Sequence, residues 1–421
     1  MALLSVSALS VSLLIIAAVV VVVSADDNVP VPENKADISK WFNANIKPFS
    51  ERKSTLDPEL VKAEEASRTI KVRKDGSGDF KTISEAVKTV PADNTKRVII
   101  EIGPGEYNEK VKIDFTQHFV TLIGSSQTDR PVISHGDTAK VYGTVDSATV
   151  IVLAKYFVGA NLIIKNSAPR PDPYKKDGQA LAMRINGDKG AFYNCKFLGY
   201  QDTLCDDRGN HFFKNCYIEG TVDFIFGRGT SLYLNADLFV YGEKGLTVVT
   251  AQGRNAESEN TGYSFVHSVI RGSGKGTTYL GRPWGGMPRV IYAYTEMTKV
   301  VHPGGWTIKD PKDAGKLYYG EYKSTGEGSN VAKREKFAKH LTANEVKPFI
   351  TLGYIQASKW LLPPPKLAGS TKISRVSNSN CTLPPTQLKL PSSKFQLHKL
   401  ACSTVDHKYI NELMDDLSHF S

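Results

Sequence analysis

Two short acidic segments, QDTL and VDFIF, place Asp202 and Asp223 21 positions apart. A pair of carboxylates can divide the work of ester chemistry if the fold brings them together. Crowded carboxylates cannot both ionise cheaply, so one holds a proton as an acid while the other stays free as a base or nucleophile. Two glutamines, Gln179 and Gln201, are separated by 22 positions. Carboxamides donate N–H groups to a developing oxyanion without adding charge. The set suits acyl transfer at an ester carbonyl. The plainer alternative is a solvated ladder of Asp and Gln on a protein surface.

The elements that must position these groups are also repetitive. GAFYNCKFLG, HFFKNCYIEG and SLYLNADLFV each flank an asparagine with apolar residues, at Asn194, Asn215 and Asn235, with a looser copy at Asn161. Intervals of 21 and 20 residues are too short for a βαβ crossover and match one coil of a right-handed parallel β-helix. A β-sandwich is the competing all-β fold, but it would show Asn-Gly hairpin turns, and these are sparse. Asp202 and Asp223 each follow an asparagine of the repeat by 8 residues. They are therefore expected to stack on neighbouring coils, about 4.8 Å apart, with Phe224 and Phe226 beside them. Because Gln201 and Asp202 are adjacent, both serve one site only if the chain bends there.

Other chemistries find little support. There is no Gly-x-Ser-x-Gly elbow and no phosphate loop around DGSGDF. His211 and His267 read as structural. Neither a metal nor a cofactor is expected. In YLGRPWGG, Arg282 can pair with a carboxylate and Trp284 offers a flat face to a sugar ring, although such a turn also serves as a structural corner.

The chain has 421 residues and a net charge of +10. Residues 1–25 are apolar and end in Val23-Ser24-Ala25, so a signal peptide cleaved after Ala25 is expected, with an uncleaved anchor as the alternative. In a secreted, extracellular protein the basic balance points to acidic cell-wall polysaccharide rather than nucleic acid, or serves solubility alone. Five cysteines are too few to build a disulfide fold; Cys205–Cys216 and Cys195–Cys216 are both open as pairs. Residues 26–67 read as an N-terminal arm docked through SKWFNANIKPF, and the ordered domain as 68–365. KREKFAKHLTANEVKPFITLGYI reads as partly helical. Residues 366–421 read as a disordered tail with a short helix at DHKYINELMDDLSHF and a glycosylation sequon at Asn380.

Six segments, GPGEYNEKV, GTVDSATV, GQALAMRINGD, GYQDTL, GTVDFIFG and LGRPW, resemble in order the signature blocks of plant pectin methylesterases. The chain is similar to the shorter class without an inhibitor-like prodomain, and to pollen members. The resemblance implies a right-handed parallel β-helix that removes methyl esters from homogalacturonan. It implies Asp223 as nucleophile, Asp202 as general acid and base, Gln179 and Gln201 at the oxyanion hole, and Arg282 orienting Asp223. Thr144, Gln179, Phe226, Arg282 and Trp284 match substrate-contacting positions. Cys205, Arg228, Gly285 and Gly286 depart from the usual residues. The expected partner is methyl-esterified polygalacturonan, with a proteinaceous inhibitor as a second candidate, and the chain is expected to act as a monomer in the cell wall. The rival activities are a pectin lyase, a polygalacturonase, and a catalytically silent pectin-binding protein.

Overall fold

Short apolar runs separated by turn residues wind into coils. The computed structural model describes residues 27–366 apart from 174–176 and 309; the expected signal peptide, sequon and C-terminal helix lie outside the described residues. Within them the ladders of three sheets are parallel, with eleven, eight and seven strands. One coil runs Gly190–Tyr193, Lys196–Leu198 and Leu204–Asp206, one strand in each sheet, and the next runs Asn210–Lys214, Tyr217–Gly220 and Ile225–Gly227. This is a parallel β-helix.

Stacked identical positions hold the coils together. Phe192, Phe213, Tyr233, Phe265 and Tyr292 are in register inside the coil. Their rings stack at 4.9, 4.5, 4.4 and 4.8 Å between centroids. Such pairs contribute about 0.5–1.5 kcal/mol each beyond the burial of their area.

The repeating asparagines turn the corner from the eleven-stranded to the eight-stranded sheet. Asn161, Asn194, Asn215 and Asn235 have φ of 54°, 53°, 56° and 56°, a left-handed conformation that asparagine tolerates. Their carboxamides bond along the ladder, Asn194 Nδ2 to Asn161 Oδ1 at 2.8 Å and Asn235 Nδ2 to Asn215 Oδ1 at 2.9 Å. In later coils the same corner is taken by His267, Tyr294 and Lys323, with φ of 52°, 52° and 46°. His267 is structural, as expected: its Nε2 lies 2.7 Å from Pro32 O, and its ring stacks on Tyr294 at 4.9 Å.

The N-terminal arm packs on the eleven-stranded sheet. Ile38–Asn45 is helical and buries Trp41 and Phe42, with Phe42 stacked on Phe212 at 5.8 Å. Arg52 donates to the carbonyls of Ala357, Ser358 and Leu361 and so ties the arm to the C-terminal segment. That segment is less α-helical than its sequence suggests. After the Thr342–Glu345 capping box, only Ala343–Val346 is α-helix, and 3-10 turns follow at Lys347–Phe349, Leu352–Ile355 and Ala357–Lys359.

Neither considered disulfide is formed: Cys195, Cys205 and Cys216 are free and buried. Cys195 and Cys216 belong to the interior core, whereas Cys205 belongs to a separate apolar cluster with Phe226 and Ala251. That separation rules out Cys205–Cys216. Cys195 and Cys216 stack on adjacent coils as thiols, each donating to backbone carbonyls. Among the described residues no helix is long and apolar enough to cross a membrane.

Candidate active site

The site is built on one face of the seven-stranded sheet, at its corner with the eight-stranded sheet. The register Cys205↔Phe226, Phe226↔Ala251 and Ala251↔Arg282 sets one column of side chains along that face. Cys205, Phe226 and Ala251 join Ile151 and Leu181 in a small apolar floor. Arg282 closes the column above them.

Asp202 and Asp223 occupy equivalent corners one coil apart. Leu204 pairs with Ile225, Asp202 N donates to Val222 O at 3.0 Å, and Leu204 N donates to Phe224 O at 2.9 Å. Both aspartates are left-handed, with φ of 61° and 50°. This turn answers the difficulty posed by Gln201 and Asp202: residue 202 lies outside a strand, so side chains there need not alternate. Each aspartate is 8% exposed.

Arg282 separates their chemistry. Its Nε donates to Asp223 Oδ1 at 2.7 Å and its Nη2 donates to Asp223 Oδ2, a bidentate pair. The hydrogen bonds to Asp223, outweighing burial, raise the Arg282 guanidinium further above its ordinary value. Burial first, and then the neighbouring Asp223 charge, push the Asp202 carboxyl well above the usual carboxylate range, against a smaller opposing effect of Arg282. A proton on Asp202 beside a carboxylate held by a guanidinium is the division that acid and nucleophile require.

The glutamines lie alongside. Ala180 N donates to Gln201 O at 3.2 Å, and Ala139 N donates to Gln179 O at 2.8 Å. Gln179 Oε1 is buried without a hydrogen-bond partner. A Cβ on Gly178 would come within 2.9 Å of Gln201 Oε1 and 2.6 Å of Pro171, so glycine leaves room for the carboxamide. Thr144 begins the neighbouring turn, and its carbonyl accepts from Ser147 Oγ at 2.7 Å. Ser147 Oγ in turn accepts from Leu181 N at 3.2 Å, coupling that turn to the coil that carries Gln179.

Phe226 is buried, and Trp284, 57% exposed, stands edge-on to it at 5.9 Å. The departures from the usual pattern have local causes. Arg228 does bring charge to the cleft, with its guanidinium 5.7 Å from the Trp284 ring. Cys205 fills the apolar floor and is 2% exposed. A Cβ on Gly285 would meet Arg254 O at 2.3 Å. Tyr319 escaped the sequence reading. Its buried hydroxyl has no hydrogen-bond partner, and after burial itself the Asp223 charge is what most raises its phenol. It comes from a distant strand, and only the coil stacking brings it near. Among the described residues no cluster suited to a metal ion occurs.

A family model described as Pectinesterase matches residues 69–358. The chain is 56% identical over 346 residues to "Probable pectinesterase 50" of Arabidopsis thaliana, covering 82% of this chain and 95% of that protein. The solved pectin methylesterase from carrot superposes with a TM-score of 0.65 at 33% identity, covering 69% of this chain and 94% of that one. A pectin methylesterase solved in complex with a hexasaccharide superposes with a TM-score of 0.59 at 26% identity, over 71% of this chain and 99% of that one. With its coils, its stacked aspartates and these relatives in agreement, the chain belongs to the pectinesterase family.

Proposed function

We propose that this protein hydrolyses the methyl esters of homogalacturonan in two displacements, releasing methanol and pectate. An Asp223 oxygen attacks the ester carbonyl, and the carbonyl π electrons move onto its oxygen, which the Gln179 and Gln201 amides receive. The intermediate collapses by breaking the bond to the methoxy oxygen. Asp202 gives its proton to that oxygen, and methanol leaves an acyl anhydride on Asp223. Asp202, now a carboxylate, takes a proton from water as that water attacks the acyl carbon. Asp223 departs as a carboxylate, and Asp202 is again protonated. Arg282 orients Asp223 throughout. Thr144, Phe226 and Trp284 hold the sugar chain. No cofactor enters these steps.

The observation that supports this reading best is the asymmetry of the aspartates, one bonded twice by Arg282 and the other pushed toward its neutral form. A catalytic domain over 68–365, exported by residues 1–25 and acting as a monomer on the cell wall, completes the proposal, with a proteinaceous inhibitor as a further partner. Product analysis on highly esterified pectin tests it. Methanol with no new reducing ends or unsaturated uronides is expected. Chain cleavage would establish a polygalacturonase or lyase instead, and retention on pectin with no methanol would establish a silent binding protein.

A further inference from the structure

On the other edge of the eight-stranded sheet, at the asparagine corner, lies an open groove of about 490 Å³. Lys35, Arg130, Lys196, Tyr217, Asp237 and Arg271 line it, together with the ladder of Asn194, Asn215 and Asn235. It is separated from the aspartates by the short strand Lys196–Leu198 and a turn, and shares none of their residues.

Its charges are unevenly spent. Asp237 is occupied by Arg271, with two contacts of 2.8 Å. Arg130 donates to Asn194 O at 3.1 Å and to Gln127 O at 3.0 Å. Among the described residues the side chains of Lys35 and Lys196 form no hydrogen bond or ion pair, although Lys196 lies close enough to Glu219 to favour that carboxylate's charged form. Four cations less one carboxylate leave a formal +3 around the groove. Asn194 and Asn235 each spend one Nδ2–H along the ladder, which leaves carboxamide donors facing the groove at coil spacing. The Tyr217 ring sits between Lys196 at 5.7 Å and Arg271 at 5.9 Å.

Cations for carboxylates and carboxamides for hydroxyls, repeated at coil spacing along one groove, together describe an acidic carbohydrate. The reaction proposed above converts a neutral ester into a carboxylate, so the charge belongs to the product and not to the substrate. We infer that this groove binds a de-esterified stretch of the polyuronate and holds the polymer while esterified units are processed at the aspartates. The inference rests on that reading only for the identity of the polymer.

Binding of ester-free polygalacturonate is the direct test. Lys35→Gln with Lys196→Gln is expected to weaken it about three- to tenfold at low salt, the range of two partly exposed ion pairs, with the difference shrinking as salt rises. Methanol release from a short, fully esterified oligogalacturonide should not change. Asn215→Asp, at an exposed left-handed corner that aspartate also tolerates, should weaken binding likewise and covers the case in which the double variant fails to fold. Lys62→Gln with Lys333→Gln, exposed lysines outside the groove, should leave polygalacturonate binding in place. Unaltered affinity in the folded groove variants would overturn the inference, as would equal weakening in the Lys62→Gln, Lys333→Gln variant. Equal weakening toward a single-stranded oligonucleotide would reduce the groove to a general anion surface and overturn the uronate assignment. Absence of methanol from the unaltered protein would instead count against the proposed reaction and leave the binding result to stand alone.

Discussion

Replacing Arg282 with methionine removes the guanidinium while keeping much of the side chain's length. Two charge-assisted hydrogen bonds to Asp223 are lost, each contributing about 1.5–3 kcal/mol. The arginine side chain is 30% exposed, so water screens part of this, and the low end of the summed range, about 3 kcal/mol, is the better figure. At about 1.4 kcal/mol per tenfold, kcat/KM should fall by roughly two orders of magnitude. The pH profile carries a second signature. Arg282 opposes the burial and the Asp223 charge that raise the Asp202 carboxyl, so its loss should raise that carboxyl further. The alkaline limb of kcat/KM for methanol release, where Asp202 gives up its proton, should therefore move to higher pH. Arg282→Lys, which keeps the charge but not the fork, should recover about a tenth of the activity. Activity of Arg282→Met within about threefold of the unaltered enzyme, with the alkaline limb unmoved, would refute the orienting role.

Three further outcomes follow from the same geometry. Asp202→Asn should abolish turnover yet melt higher than the unaltered protein. The raised carboxyl costs nothing below the ordinary carboxylate range, where both states are protonated. Its penalty grows as pH rises through the raised folded value. The gain in Tm should thus be largest at neutral pH, roughly 2–4 °C per kcal/mol relieved, and thermal scans across pH would show it. His211 has Nδ1 on the Asp206 carboxylate at 2.5 Å and Nε2 on Gly187 O at 3.1 Å, both acceptors, so the buried ring is doubly protonated. Burial alone would lower it, but the Asp206 charge and hydrogen bond prevail and raise it. Its stabilisation is complete below the ordinary imidazole value and is lost as pH rises through the raised one. His211→Gln should cost about 3–5 kcal/mol in denaturant unfolding by stranding Asp206, and Asp206→Asn should restore part of it. Trp284→Ala should raise KM for pectin about tenfold with Tm unchanged, because the ring is exposed.

The aspartate pair was legible because two consecutive coils happen to be free of insertions, so the spacing of 21 residues equals the register Cys205↔Phe226. Above Phe226 that regularity ends. Its in-register neighbour Ala251 lies 25 positions on, and Arg282, the neighbour of Ala251, a further 31, since loops such as 253–261 leave the coil. No periodicity could place Arg282 or Tyr319 over Asp223; for the arginine only the GRPW motif did so. The asparagine repeat was visible where asparagine fills the left-handed corner. It vanished from view at His267, Tyr294 and Lys323 because the backbone demands a conformation there, not a residue type. The amphipathic SKWF segment revealed the docked arm, whereas the C-terminal segment kept its capping box but broke into 3-10 turns at Pro348 and Gly353. The cysteine alternatives stayed open because spacing does not say which wall of the coil a thiol faces.

Methanol release from highly esterified pectin, compared between the unaltered enzyme and a folded Asp223→Asn variant, bears most directly on the stacked aspartates. Asparagine keeps the shape of the corner but removes the attacking oxygen's charge, so turnover should fall by at least about a thousandfold. Release at more than about a tenth of the unaltered rate would show that another group attacks the ester.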